Sequence, residues 1–412
     1  LAAMLPMGAL AEGDTTVPMD EAQVLTHGRT YERDGTLYLD WTYSGISFNF
    51  EGTGAKAVLT SSSLSPNPGY VNVYVDGALV PSSSIELTQT SGEYTLAEGL
   101  ADGSHTITLR KRNEAVYAGS ATVGIQSLTI TGGSLTTPPA DTERNIEIIG
   151  DSITAGFGNL AANSDVGYNS HVSDGTSTYA TMTAQAFGAD IDVIARSGIR
   201  FVRADEANSM FPVYEMVSGL GNKCTDDYDF ESNPKDVVII NLGTNDNGAT
   251  IDGVSVTDEY IQSEAKAFLQ MIRRDNPDAE IIWAYGIMGS GRASAIQAAI
   301  DELVEEGDEH MSFFSLDQIN SATEGYGTGR HPTVATSINR SFDLTKYIAQ
   351  KTGWDYRFDV QVKQQAILDA AFDTADLKMY TDESAKALTD AFAAVAALDE
   401  EDSNEDIEAA VR

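Results

Sequence analysis

The sequence predicts a multidomain chain: an N-terminal β-sandwich of the jelly-roll type, then a three-layer α/β/α domain on a parallel sheet, then an α-helical tail. Three observations predict it. Between about Val24 and Leu135, apolar residues alternate with period two between turns rich in Gly, Ser, Asn and Asp, the pattern of strands covered on one face. From Ile146 to about Trp354 the alternation gives way to continuous apolar runs separated by helical stretches, as a parallel sheet buried by crossover helices requires. After Trp354 the composition turns to Ala, Asp and Glu with helical spacing. The divisions fall at residues 1–15 (leader), 16–136 (sandwich), 137–355 (α/β domain) and 356–412 (tail).

The leader LAAMLPMGALAEG is apolar and small, and Ala9-Leu10-Ala11 before Glu12 has the small-x-small form that a signal peptidase reads. It predicts a secreted or cell-surface protein; a frayed apolar N-terminus is the plainer account. In the sandwich, Leu37, Leu39 and Trp41 face one way, and so do Ile46, Phe48 and Phe50, then Val71, Val73 and Val75 ahead of Asp76-Gly77. His105, Ile107 and Leu109, then Val123 and Ile125, continue the series. KRNEA, Lys111 to Ala115, is a polar cluster at a strand end for which the pattern gives no reason. Thr136 to Asp141 is a short stiff linker.

Beyond the linker, strands are expected at Ile146–Ile149, Ile191–Ile194, Val237–Ile240, Ile281–Ala284 and Ser312–Leu316. Helices are expected at Thr178–Phe187, along the face Ile261, Ala265, Phe268, Leu269 and Ile272, and at Ala295–Val304. In the tail, Ala366–Phe372 is helical, Thr381 caps a helix with the face Ala385, Leu388, Phe392 and Val395, and Ser403 with Asp406 caps another.

Composition narrows the partners. A formal net charge of -37 and a pI near 4.2 crowd the surface with carboxylates, which repel nucleic acid and anionic membranes. Cys224 is the single cysteine, so no intramolecular disulfide forms, and no Cys/His zinc spacing exists. Neither His27 nor His105 stands in a metal-ligand spacing.

The chemistry concentrates in NIEIIGDSITAGFGN, Asn145 to Asn159. Gly150 breaks an apolar strand, and Asp151 and Ser152 fall on the turn after it. Such a turn lifts a serine hydroxyl to the rim of a parallel sheet, where a helix N-terminus stabilises developing negative charge. Asp or Ser there also serves simply as a helix cap, so Gly-Asp-Ser alone is no signature. Two more signals accompany it: NLGTND, Asn241 to Asp246, after an apolar strand, and His331-Pro332-Thr333 before a helix.

Gly-Asp-Ser-Ile, Gly-Thr-Asn-Asp and His-Pro, in that order, resemble the SGNH (GDSL-type) hydrolase superfamily. With a jelly roll in front, the chain looks like carbohydrate esterase family 2, the acetyl xylan esterase type, whose members remove O-acetyl groups from plant polysaccharides. DGSHTITLRKRNEA, MFPVYE, YDF, IIWAYGIMG and HPTVATS carry the same resemblance over about Arg29 to Trp354. The tail is similar to a FIVAR-type helical module, which implies cell-surface or multi-enzyme attachment; a plain acidic helical tail is the other reading.

Ester hydrolysis needs a serine whose proton a base removes, and histidine titrates in the right range. Ser152 is the expected nucleophile and His331 the base. The resemblance implies an oxyanion hole from the backbone N–H of Ser152, the backbone N–H of Gly198 and the side-chain amide of Asn245, with no metal and no cofactor. Gly198 is otherwise a strand terminator, and Asp151 and Asp246 are turn-stabilising carboxylates. The superfamily's usual aspartate, three residues before the histidine, is replaced by Thr328. Several family 2 esterases work with a Ser-His dyad whose imidazole a backbone carbonyl orients, so the resemblance implies a dyad here, with a carbonyl near Thr328 in that role; Glu324 or another carboxylate on the far ring nitrogen would be the alternative. Trp283, Tyr285, Tyr326 and Phe157 stand between core positions and a platform for sugar rings.

The predicted function is a secreted serine esterase that deacetylates xylan or a mannan through an acyl-enzyme. An SGNH lipase or aryl esterase acting on longer acyl chains, and a catalytically weak polysaccharide-binding protein, are the rivals.

Overall fold

The computed structural model describes residues 13–114, 121–204, 208–218, 224–370, 381–399 and 401–412. Most of the leader (1–12), Ala115 and the end of the expected helix Ala366–Phe372 lie outside the described residues.

Two six-stranded antiparallel sheets form the N-terminal sandwich. Strand Gly103–Lys111 lies between Gly45–Gly52 and Tyr70–Val75 in one sheet, and Val123–Thr131 pairs with Gly54–Ser61 and Thr36–Leu39 in the other. Period-two alternation turns Leu37, Leu39, Ile46, Phe48, Phe50, Val71, Val73, Ile107 and Leu109 into one shared core between the sheets.

The alternation fails at one residue, and the failure matters. The strand Thr36–Leu39 ends before Trp41, which leaves the sandwich core and enters the core of the α/β domain, where its indole N–H donates to the Val217 carbonyl at 2.9 Å. Tyr43 packs with the other face of that domain's sheet. Two buried ion pairs reinforce the junction. Arg29 meets Glu147 at 2.8 Å with both side chains fully buried, and Arg110 meets Asp190 at 3.0 Å beside His27. Removing one partner of such a pair costs about 3–5 kcal/mol, so the two domains form one unit rather than beads on a linker.

The α/β domain is built on five parallel strands in the spatial order Asp190–Ala195, Asn145–Gly150, Val237–Asn241, Glu280–Tyr285, Met311–Ser315. Successive side chains along these runs alternate between two buried faces, which is why the strands are apolar throughout. Ile149, Val238, Ile240 and Trp283 face α3 (Asp258–Asp275) and α4 (Ala293–Glu305); Ile148, Val193, Ile239 and Ile282 face α1 (Tyr179–Ala186) and α5 (Val334–Thr352). A short helix α2 (Met210–Tyr214) adds Met210, Val213 and Tyr214 to the core on the α3 side, a turn that five residues of sequence do not announce.

Residues 151–160 form successive turns, so no helix N-terminus directly follows Ser152. One helix-like bond forms, Ala155 N–H to Asp151 O at 3.0 Å, but Gly156 and Gly158 sit at φ 75° and 61°, left-handed conformations that stop helix propagation. Gly158 also lets another loop come close: a Cβ there would lie 2.3 Å from the Thr328 Cβ.

The tail helices α6 (Asp359–Ala370), α7 (Asp382–Ala396) and α8 (Asn404–Val411) return to the α/β domain. Phe358, Val360 and Ile407 close a cluster with Met182, Ile338 and Phe342, drawn from α1 and α5. Ser403 and Asp406 form a reciprocal capping box at the start of α8. Among the described residues no helix is long and apolar enough to cross a membrane.

Candidate active site

Strand order reverses about Asn145–Gly150, which has a neighbour from later in the chain on each side. In open α/β sheets a crevice opens at this switch point, beyond the carboxyl ends of the strands. Three of those ends carry the expected residues: Ser152 after the first strand, Gly198 after the second and Asn245 after the third.

His331 reaches them from 179 residues away. Its Nε2 lies 2.8 Å from Ser152 Oγ, and its Nδ1 lies 2.9 Å from the Thr328 carbonyl oxygen. The loop carrying it is held by Thr328 N–H donating to Gly158 O at 3.1 Å, the close approach that Gly158 permits. Gly329 and Arg330 take φ of 58° and 67°, folding the ring back over Thr328; a non-glycine in that region is strained. Thr333 then caps α5. Burial lowers the His331 pKa, and the carbonyls of Thr328 and Gly329 partly oppose the shift.

Glu324 does not approach the imidazole. It is buried against Arg340 at 3.1 Å and accepts from Asn339 at 2.8 Å, a pair that ties the His331 loop to α5.

Around the serine, donors and acids are arranged separately. Among the described residues, neither the Ser152 nor the Gly198 backbone N–H donates to a protein acceptor. Gly198 is exposed at φ 82°, and a Cβ on it would meet nothing within 4 Å. The Asn245 amide donates to Ile199 O at 2.9 Å and, at the longer 3.3 Å, to Asp151 Oδ2. Asp151 is fully buried and also accepts the Ile153 N–H at 2.9 Å. Burial pushes its carboxyl up to about 7, with Asp246 and Glu114 adding to the rise against that N–H bond. Asp246 is pushed up to about 6, chiefly by burial, and accepts from Val202 N–H at 3.2 Å. Both carboxyls brace turns, and neither touches His331.

The aromatic candidates divide. Trp283 is wholly buried, donates to Leu242 O at 3.0 Å and packs against Phe201, and Tyr285 is buried as well, so neither offers a face to a sugar. Phe157 lies 4.4 Å from the His331 ring and stacks on Tyr168 at 4.5 Å, while Tyr326 is partly exposed. Sequence reasoning missed Tyr168 and missed Glu114, whose only signal was the polar run at a strand end. Among the described residues no group of three or more His, Cys, Asp or Glu side chains is placed to hold a metal ion.

Two family models match the chain, carbohydrate esterase 2 N-terminal over residues 26–139 and GDSL-like lipase/acylhydrolase over residues 148–337. A cellulase/esterase, CelE, of Acetivibrio thermocellus is 29% identical over 357 residues, 84% of this chain; the chain spans 41% of the length of that relative. An acetylxylan esterase / glucomannan deacetylase of Cellvibrio japonicus is 23% identical, with 84% of this chain and 94% of the relative covered. Among solved structures, a family two carbohydrate esterase from Clostridium thermocellum in complex with cellohexaose superposes with a TM-score of 0.72 at 28% identity, covering 80% of this chain and 99% of that one. An acetyl xylan esterase from the rumen bacterium Butyrivibrio proteoclasticus gives 0.74 at 25% identity, covering 83% and 100%. The chain thus joins a CE2 N-terminal domain to a GDSL-like lipase/acylhydrolase domain, and its relatives and solved neighbours over both are family 2 carbohydrate esterases, which supports a carboxylic ester hydrolase.

Proposed function

We propose that the protein is a secreted esterase that removes O-acetyl groups from plant cell-wall polysaccharide of the xylan or mannan type, with Ser152 and His331 as a catalytic dyad. The observation that carries this reading is the 2.8 Å contact between Ser152 Oγ and His331 Nε2, beside two backbone N–H groups without protein acceptors. The acetylxylan esterase and glucomannan deacetylase among the relatives support the choice of acyl group and polymer.

Ser152 Oγ attacks the acetyl carbonyl carbon while His331 Nε2 takes its proton. The tetrahedral oxyanion is held by the N–H groups of Ser152 and Gly198 and by the Asn245 amide, whose longer contact to Asp151 is the one an oxyanion displaces. Collapse returns the proton to the departing sugar oxygen and leaves an acetyl-enzyme, which water hydrolyses with His331 again as base. The Thr328 carbonyl fixes the Nδ1–H tautomer throughout.

Acetate release from acetylated xylooligosaccharides and glucomannan, with Ser152→Ala as the blank and octanoyl esters as the comparison, tests the reading. Release by the parent alone, with acetyl strongly preferred, supports it. Octanoyl preference shifts the assignment to a lipase or aryl esterase. The cellohexaose complex of the Clostridium thermocellum neighbour favours a second reading, β-glucan binding at the same crevice. Calorimetric binding of cellohexaose by a parent that releases no acetate would select it. Secretion, and attachment through residues 356–412, belong to the proposal and are tested by culture fractionation with and without those residues.

A further inference from the structure

The polar run that the sequence leaves unexplained stands where the sandwich meets the turn that carries Gly198. Strand Gly103–Lys111 continues past its sheet as a buried extension. Arg112 Nε donates to the Ser173 carbonyl at 2.9 Å, and Asn113 accepts the Tyr70 N–H at 2.9 Å while donating to Ser170 Oγ at 3.2 Å. The extension ends in Glu114, which is 1% exposed. One Glu114 oxygen accepts the Ser197 backbone N–H at 2.8 Å and the other accepts the Ser197 hydroxyl.

Ser197 immediately precedes Gly198. On the other side, the Ile199 carbonyl accepts the Asn245 amide at 2.9 Å. The turn is thus gripped at both ends, once by the sandwich and once by the α/β domain, with the exposed Gly198 between the grips. A glycine-centred turn is loose when left alone, and an oxyanion donor is useful only when aimed in advance. Burying a carboxyl is costly unless its oxygens find hydrogen-bond partners. Here both partners come from one turn residue. Burial pushes Glu114 up to about 7, and either protonation state leaves it able to hold Ser197.

We propose that Glu114, supplied by the N-terminal sandwich, is a positioning residue of the active site: it fixes the Ser197–Ile199 turn so that the Gly198 N–H points at the oxyanion. The sandwich is then part of the catalytic unit and not merely a carbohydrate-binding or spacer module. This inference rests on the esterase reading given above.

The test compares Glu114→Ala with Glu114→Gln in the full chain. Glutamine keeps an acceptor for the N–H and a donor for the hydroxyl, and alanine keeps neither. Expected is a fall in kcat of about 10–100-fold for Glu114→Ala on an acetyl ester, with KM within about twofold, and recovery to within about threefold of the parent in Glu114→Gln. Unchanged kcat in Glu114→Ala, a loss carried by KM, or equal losses in both variants overturns the proposal. If Glu114→Ala does not fold, Ser197→Ala decides: it removes one of the two bonds, and a fall of about threefold or more in kcat, measured well below the variant's own Tm, is expected, no fall being contrary. Hydrogen exchange over residues 196–200 separates this inference from the esterase reading. Faster exchange in Ser197→Ala or Glu114→Ala than in the parent supports the grip whether or not the parent turns over, and equal exchange refutes it. A parent without turnover refutes the esterase reading alone.

Discussion

The Thr328 carbonyl oxygen receives two N–H groups of His331, the backbone N–H at 3.0 Å and ring Nδ1 at 2.9 Å. The imidazole is therefore oriented by its own loop, in a position where serine hydrolases commonly use a carboxylate. A neutral carbonyl fixes the tautomer as well as a carboxylate does, but it stabilises the imidazolium less. This relationship governs the first two predictions.

Glu324 is the one acid of the loop that a triad reading would recruit, and its oxygens are spent on Arg340, Asn339 and the Asn320 N–H. Glu324→Gln is expected to keep kcat within about threefold while lowering stability by about 3 kcal/mol, because it leaves a buried guanidinium without its counter-charge. Thermal unfolding and steady-state rates on the same sample check this. A loss in kcat near 10⁴-fold would mean that a carboxylate acts on His331 after all.

The pH profile follows from the lowered pKa of His331. Catalysis needs the neutral ring, so the acidic limb of kcat/KM should lie below the value of about 6.5 for a free imidazole. The folded-state pKa is below the unfolded one, so this group contributes stability above the unfolded value and loses it as pH falls through the folded one. A rate profile from pH 4 to 9 checks the limb, and a midpoint above about 7 would contradict it.

Asp246 gives the opposite slope. Its carboxyl is raised to about 6, above its unfolded value of about 3.9, so its contribution is fully present below pH 4 and is lost as pH rises through 6. Asp246→Asn should flatten the fall in Tm between pH 4 and 7, an effect on the order of 3 kcal/mol. Identical slopes in variant and parent would assign the pH dependence to other groups.

Two glycines separate conformation from contact. Gly198→Ala meets nothing within 4 Å and should cost about 1 kcal/mol from its positive φ alone, with kcat falling as the turn shifts. Gly158→Ala adds a Cβ 2.3 Å from the Thr328 side chain, so it should cost more and displace His331 from Ser152. Tm and kcat for the pair check the order; a milder effect at Gly158 would mean that the two loops part without consequence.

What the sequence determines by itself is local and periodic. The continuous apolar runs that become Asn145–Gly150 and Val237–Asn241, the alternation of Ile46, Phe48 and Phe50, the face of α3 and the capping box at Ser403 all follow from spacing within a few residues, which burial and hydrogen bonding constrain directly. Motif order also marks Ser152, Asn245 and His331 as candidates, and the family resemblance adds Gly198, although no spacing along the chain says how far apart they lie. The tertiary structure decides the rest because it depends on residues distant in sequence. Trp41 continues the alternation of Leu37 and Leu39 and yet belongs to the other domain's core, since its strand ends at Leu39. Behind Ser152 the chain turns through two left-handed glycines, and one of them, Gly158, makes room for Thr328, a residue far along the chain. Glu114 reads as a stray charge at a strand end until the sheet of one domain meets the switch point of the other, and only that meeting gives its carboxyl the Ser197 N–H and hydroxyl that make its burial affordable.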